Sequence, residues 1–409
     1  MTDSVRLKWL LTESDIRAGA DAGSFPLLSV SISWGVRRRE ASDMTTRAAS
    51  DDLSKYKVCR AGDLVINRMR AFQGALGIAP EDGVVSPDYA VLRVDQRVEK
   101  RWLNYFLTSG FAVATMASLV RGIGGTEAGN VRTPRLNVSD LQSMTVPLMP
   151  GDEQRAVADY LDRETARIDT LIEEQQRLIE MLRGRRQDLV RAAVLGSANP
   201  FSPPPEAAFT AIGHHFSVTL GKMLDAGKAV RSEDLMLPYI RAGNIQDAGL
   251  KLDDVKQMPY SEAEASNLNL LKGDLLVVEG GAVGTNVLLH EDMPEWSFQK
   301  TVNRLRPLSD WSSAWLGYVL RTYRDIGVMD IVCNRSTIPH LTAEKLRAMR
   351  IPSVEPEEQV RVAAILDHQT AEIDVLITET EQFIELARER RAGMITAAVT
   401  GQIDVQETV

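Results

Sequence analysis

Two kinds of side chain in this sequence could contact a nucleic acid. Guanidinium and ammonium groups pair with phosphates and guanine edges, and amides pair with adenine. In the first 150 residues the candidates are Arg37, Arg38, Arg39, Arg68, Arg70 and Arg121. The run at 37–39 follows Leu27-Leu28-Ser29-Val30-Ser31-Ile32, which alternates weakly like a strand, so a loop is expected to present it. A charge run that is merely solvated is the competing reading. Arg68 and Arg70 lie between strand-like Leu64-Val65-Ile66 and Phe72-Gln73-Gly74, a loop mixing basic, amide and aromatic groups. Further along, the candidates are Lys222, Arg241, Asn244, Lys300, Asn303, Arg304, Asn334 and Arg335. Residues 299–304 place four base-competent side chains in six positions, although strand alternation would turn half of them away from a ligand.

Signs of catalysis are missing. A DNA adenine methyltransferase needs a donor pocket and an Asn/Asp-Pro-Pro-aromatic loop for the flipped base; Asn199-Pro200-Phe201 lacks one Pro and sits in a Pro-rich stretch. No Gly-x4-Gly-Lys-Ser/Thr occurs to cradle phosphates, and Pro87-Asp88 is followed by no Glu/Asp-x-Lys of the common restriction nuclease pattern. His214-His215 has no carboxylate or Cys spacing beside it and reads as a surface pair rather than a metal site. Gly280-Gly281-Ala282-Val283-Gly284 reads as a strand-end turn, not a nucleotide loop. The expectation is therefore no catalytic residue, no cofactor and no metal held by this chain.

The elements that would position the contacting residues are set out by an internal repeat. Residues 153–196 recur at 358–401, 205 positions on and without a gap, with about half of the paired residues identical. Each copy carries a helical apolar period with no Pro: Leu161, Ile168, Leu171, Leu178 and Leu182 in the first, Leu366, Ile373, Leu376 and Phe383 in the second. Ile172, Ile179, Ile377 and Ile384 widen the seam, which turns polar at Gln175 against Thr380 and at Arg185 against Arg390. At 1.5 Å per residue, roughly 40 residues span about 60 Å. A helix of that length with one apolar stripe needs a partner, and the other copy supplies one.

The preceding regions repeat too. Gly62-Asp63-Leu64-Val65-Ile66 is echoed by Gly273-Asp274-Leu275-Leu276-Val277, and Trp102-Leu103-Asn104-Tyr105-Phe106-Leu107 by Trp315-Leu316-Gly317-Tyr318-Val319-Leu320. The expected plan is a mixed domain over 1–150, a long helix over 151–196 and a Pro-rich linker over 197–208. A second mixed domain follows over 209–352, then a second long helix and tail over 353–409. In the first domain, strands are expected at 64–66 and 89–94, with a helix running from Trp102 toward Met116, a Gly-rich loop over 121–133 and a short helix over 136–144.

Pro356-Glu357-Glu358-Gln359, its looser counterpart Pro150-Gly151-Asp152-Glu153-Gln154, and the Leu-Asp…Ile-Asp…Leu-Ile pattern resemble the specificity subunit of type I restriction–modification enzymes over the whole chain. The resemblance implies an α+β architecture: two mixed α/β target-recognition domains joined by two long helices in an antiparallel coiled coil, with a pseudo-twofold internal repeat. It implies a non-catalytic subunit that reads a bipartite target in double-stranded DNA, one domain per half-site. Its helical spacer would dock two methyltransferase (modification) subunits, and a restriction/translocase subunit could join. S-adenosylmethionine and ATP would belong to those partners. It does not assign readout to single residues. The rival readings are a coiled-coil protein–protein adaptor with no DNA role, and a fragment of a nuclease–methyltransferase fusion, which the missing motifs oppose.

Composition bounds these readings. Apolar content of 44% and charged content of 25% are ordinary for a globular protein. Cys59 and Cys333 make no disulfide framework, which suits a reducing cytoplasm, and no long apolar run suggests a leader or membrane span. Net charge is −9, unusual for a DNA binder, but residues 1–150 are net +3 and residues 353–409 net −8. The acid is concentrated in the second helix and tail, so the affinity of this chain alone for DNA is expected to be modest and salt-sensitive.

Overall fold

The structure is a computed structural model and describes residues 3–40, 53–120, 134–196, 209–223, 232–333, 339–403 and 405. The linker at 197–208 and the Gly-rich loop at 121–133, with Arg121, lie outside the described residues, as do Asn334 and Arg335. The chain forms two compact units, residues 1–176 with 381–409, and residues 177–380. Each unit therefore holds one mixed domain, part of the first long helix, Gly151–Leu195, and part of the second, Pro356–Val399.

In the first unit a four-stranded antiparallel sheet runs in the order Leu11–Ser14, Ala90–Val94, Leu64–Ile66, Leu76–Ile78. In the second unit the order Phe216–Leu220, Val302–Pro307, Leu275–Val278, Asn286–Leu288 reproduces it. Entry into the equivalent central strands is set by the Gly-Asp pairs. Gly62 and Gly273 take φ of 89° and 87°, the left-handed region that favours glycine. The next residue's carboxylate then closes the turn: Asp63 accepts from Arg60 N at 2.8 Å and Asp274 from Leu271 N at 2.8 Å. The sheets are buried on both faces; in the first unit Leu64 and Ile66 face one core and Val65 another. A short pair, Asp3–Arg6 with Thr145–Leu148, leads toward the first long helix, and Phe209–Ala211 with Arg350–Pro352 does the same before the second.

Three local expectations change. The helix expected from Trp102 toward Met116 is two helices, Lys100–Thr108 and Gly110–Leu119. Ser109 breaks it by taking an extended conformation (ψ 151°), where its hydroxyl accepts from Ala112 N and caps the second helix. Arg37 and Arg38 lie inside a strand, Gly35–Arg38, not in a loop, because the hairpin from Leu28–Ser31 turns at 32–34. Residues 299–301 precede the strand expected over 299–304, which begins at Val302.

The long helices run antiparallel within each unit. In the first, Leu161 and Ala158 share a core with Ile395 and Ala398, while Asp169 pairs with Arg391 at 2.9 Å. In the second, Val190 and Val194 share a core with Ala363 and Leu366, while Arg186 pairs with Asp374 at 3.0 Å. These are one ion pair repeated, since Asp169 and Asp374, and Arg186 and Arg391, are each 205 apart.

Burial follows a 4-3 alternation through Leu161, Thr165, Ile168, Ile172, Gln175, Ile179 and Leu182, repeated as Leu366, Thr370, Ile373, Ile377, Thr380, Ile384 and Ala387. Of the expected seam, Leu161, Ile168, Leu182, Leu366 and Ile373 lie on this stripe. Leu171 flanks it half-buried, and Leu178, Leu376 and Phe383 lie outside it, 36%, 48% and 43% exposed. The polar interruption also shifts by one residue: Arg185 and Arg390 are exposed, and the half-buried arginines are Arg186 and Arg391. Threonine explains the error. Thr165, Thr370 and Thr380 return their hydroxyls to the carbonyls of Leu161, Leu366 and Leu376 at 2.6, 2.7 and 2.7 Å, so a polar side chain enters the seam satisfied and keeps the register.

Each domain is latched to its long helix by the glutamine of the Glu-Gln motif. Gln154 is buried; its Oε1 accepts from Glu99 N at 2.8 Å and its Nε2 donates to Met149 O at 2.7 Å. Gln359, also buried, accepts from Ser312 N at 3.0 Å and donates to Val354 O at 2.7 Å. Glu99 and Ser312 are the N-caps of the equivalent domain helices, whose backbone N–H groups need a partner when buried. Tyr105 donates to Asp162 at 2.7 Å and Tyr318 to Asp367 at 2.6 Å, a second repeated tie. Burial, and then this bond to a carboxylate, push the Tyr318 phenol up to about 12.

Ile172→Ala and Ile384→Ala should each destabilise the protein by about 2–4 kcal/mol, as for other buried aliphatic truncations. Leu376→Ala and Phe383→Ala should cost clearly less. Thermal denaturation of the four variants checks this, and equal losses would return the seam to the exposed positions.

Candidate nucleic-acid interface

The turn joining Leu64–Ile66 to Leu76–Ile78 projects beyond one end of the first sheet. It carries Arg68, Met69 and Arg70 and closes through Ala71–Gln73 at Gly74, whose φ is 93°. Arg68 is held at the base of the turn, donating to Leu136 O at 3.2 Å and to Asn137 Oδ1 at 3.1 Å. Met69 and Arg70 are exposed. Beside them stands Tyr89: burial raises its phenol, while the nearby charges of Arg39 and Arg70 work in the opposite direction. Arg135 pairs with Asp88 at 2.9 Å next to this ring. On the neighbouring hairpin Arg37 lies over Trp34, 4.0 Å from the ring centroid, and Ile32 and Trp34 are exposed at the tip. Arg38, on the other face of its strand, is paired with Glu81 at 2.6 Å. The first unit thus gathers Arg39, Arg70 and Tyr89 at one sheet end. Guanidinium groups with an aromatic ring suit contact with phosphates and base faces.

In the second unit the structure separates the candidates. Asn303 is fully buried and donates to Leu341 O at 3.0 Å. Arg304 is 5% exposed and donates to Asn269 O at 2.5 Å, and burial holds its guanidinium below the ordinary range. Asn244 is buried, accepting from Arg241 N at 3.1 Å and donating to Lys251 O at 2.8 Å. These three are structural, not surface readers. Asn303 and Arg304 lie in strand Val302–Pro307, which has a strand on each side and core packed on both faces, so alternation frees neither face. Lys222 is spent on Glu264 at 2.5 Å and Pro259 O at 2.7 Å, and Arg241 on Asp254. Lys300 is exposed in the turn before the strand. Near it are Glu279 and His340, which the sequence did not single out, as it did not Tyr89, Met69 and Trp34. A signal existed for Glu279 alone, since it directly follows the strand of the repeated Gly-Asp motif.

The fold defines a class: a duplicated mixed α/β domain, each copy mounted on a long-helix pair. Comparison with known proteins makes the class particular. Residues 216–386 match the type I restriction modification DNA specificity domain. No curated protein sequence matches the chain. Among solved structures, a chain from a study of complex assembly and conformational transition in the type I R-M system is 16% identical, with 98% of each chain covered and a TM-score of 0.75. The HsdS subunit of Thermoanaerobacter tengcongensis is 15% identical, covering 98% of this chain and 97% of its own, with a TM-score of 0.58. Residues 216–386 are thus similar to the type I restriction modification DNA specificity domain, and the chain as a whole shares the fold of these two solved chains. Among the described residues no helix is long and apolar enough to cross a membrane.

Asn303→Ala should destabilise the protein by about 1–3 kcal/mol, because Leu341 O loses its side-chain donor in a dry site. Arg70→Ala should stay within about 0.5 kcal/mol of the parent, as exposed substitutions do. Chemical denaturation distinguishes them; a stable Asn303→Ala protein would reopen that residue as a surface contact.

Proposed function

We propose that this chain is the DNA-recognition subunit of a type I restriction–modification complex, without catalysis of its own, and that each mixed domain reads one half of a bipartite target in double-stranded DNA. The observation that carries this reading is the duplication of one sheet topology, each copy latched by Gln154 or Gln359 to the same helical seam. Two independent readers on one spacer suit a target in two parts separated by unread bases. The cluster of exposed Arg70 with half-buried Arg39 and Tyr89 is our choice for backbone and base contacts in the first half, with Arg37 on Trp34 beside it; Lys300 is our choice in the second.

The helices would also dock the modification subunits, two of them by the repeat. Those subunits would bind S-adenosylmethionine and methylate adenine, and a restriction/translocase subunit would bring ATP-driven chemistry. The site of action would be the cytoplasm. An overall charge of −9 fits a chain that leaves part of the phosphate contact to its partners.

The test is exchange of residues 209–352 for the corresponding domain of a relative, followed by methylome sequencing of a host that also expresses the modification subunit. One half of the methylated motif should change and the other should persist. Simultaneous change of both halves would mean that the domains do not read separately.

A further inference from the structure

The two units carry opposite charge at one equivalent place. In the first, the residue two beyond strand Leu64–Ile66 is Arg68, whose backbone carbonyl accepts from Leu136 N at 2.9 Å. In the second, the residue in that role is Glu279, directly beyond Leu275–Val278. Its carbonyl accepts at 2.7 Å from Leu341 N, 205 residues on from Leu136. The backbone hydrogen bond is the same and the charge of the side chain is reversed.

Glu279 is fixed from two sides. Its own N donates to Thr301 O at 2.9 Å, and Gly280 bridges to His340. A Cβ on Gly280 would meet His340 Nδ1 at 3.0 Å, so glycine there lets the imidazole approach. The half-buried carboxylate makes no hydrogen bond or ion pair among the described residues, although Lys300 and His340 lie close enough to act on it. Burial raises its pKa; the two basic groups oppose that. A carboxylate partly withdrawn from water with no donor costs stability, and on a surface that meets phosphates it also repels the ligand. A donor supplied by the ligand would offset both. Arg68 differs in that Asn137 and Leu136 already satisfy it.

We propose that Glu279 is a specificity-determining residue of the second unit, accepting a hydrogen bond from an exocyclic amino group of a base in its half-site, with Lys300 and His340 flanking it toward the phosphates. This rests on the reading of the chain as a DNA-recognition subunit. The amino group could be cytosine N4 or adenine N6, the donors that a base edge offers a carboxylate in the major groove.

The experiment compares the full chain with its Glu279→Gln and Glu279→Ala variants, each expressed with the modification subunit in a host free of other DNA methylation, and reads the methylated motif. Because the Glu279 carboxylate makes no hydrogen bond or ion pair among the described residues and its burial is unfavourable, both variants should melt at or slightly above the parental temperature. One position, in the half-site assigned to residues 209–352 by domain exchange, should lose its preference by about tenfold or more in the alanine variant, while glutamine, which keeps one acceptor oxygen, should retain part of it. Glutamine should also admit bases with an acceptor edge there. The base preferred by the parent at that position, cytosine or adenine, identifies the donor. An unchanged motif in both variants, or a uniform fall in methylation with every position still selective, would overturn the assignment. If the parental chain itself gives no two-part motif, the reading as a specificity subunit fails, whatever Glu279 does.

Discussion

Two helices of 45 and 44 residues bearing one apolar stripe each cannot remain apart in water, and burying those stripes against each other is the constraint on which the other features depend. The pairing is antiparallel because the sequence makes it self-consistent only that way. Asp169 meets Arg391 and Asp374 meets Arg186, so one charge pattern, written twice, satisfies itself when the copies run in opposite directions. These pairs are partly exposed and contribute little energy each; their role in this account is to select direction and register. The energy comes from Leu161, Ile172, Ile179 and their partners, with Thr165, Thr370 and Thr380 completing the stripe.

A consequence is that the compact unit and the sequence repeat are different divisions of the molecule. The core of the first domain includes Trp102, Phe106 and Leu161, and also Ile395, Ala398 and Val399 from the far end of the chain. The second domain likewise joins Trp315 and Leu366 to Val190 and Val194. Each domain is completed by a helix that belongs to the other repeat. The buried Gln154 and Gln359 then fix each domain helix at its first turn, which limits rotation of the domain about its mount. A scaffold so tied leaves variation to the strand-end turns, where Arg68 in one unit faces the role of Glu279 in the other.

The architecture was legible in the sequence because repeated, periodic features carry it: the 205-residue offset, the long apolar periods and the Gly-Asp turns. The seam was legible only in part. Apolar steps of three and four placed Leu171, Leu178, Leu376 and Phe383 in the seam, whereas burial followed a register that passed through threonines whose hydroxyls are satisfied by their own helix. The glutamine of the motif could be read as a family mark but not as a latch, since its partners Glu99 and Ser312 are about 50 residues away. The candidate contacts fared worst. Asn244, Asn303 and Arg304 have the chemistry of base readers, but nothing local distinguishes an amide that meets DNA from one that closes a loop. That difference lies in sheet order, which set Val302–Pro307 between two strands.

The central claim is that one repeat, a domain and its helix, is complete when a second copy covers its seam. A chain of residues 1–205 tests this most directly. Two copies would pair with Asp169 of each against Arg186 of the other, the same ion pair that the intact chain makes twice. Sedimentation equilibrium should show a folded dimer that a Asp169→Arg substitution weakens. Methylation by that dimer with the modification subunit should follow a palindrome of the first half-site. A folded, soluble monomer with its helix uncovered would contradict the account.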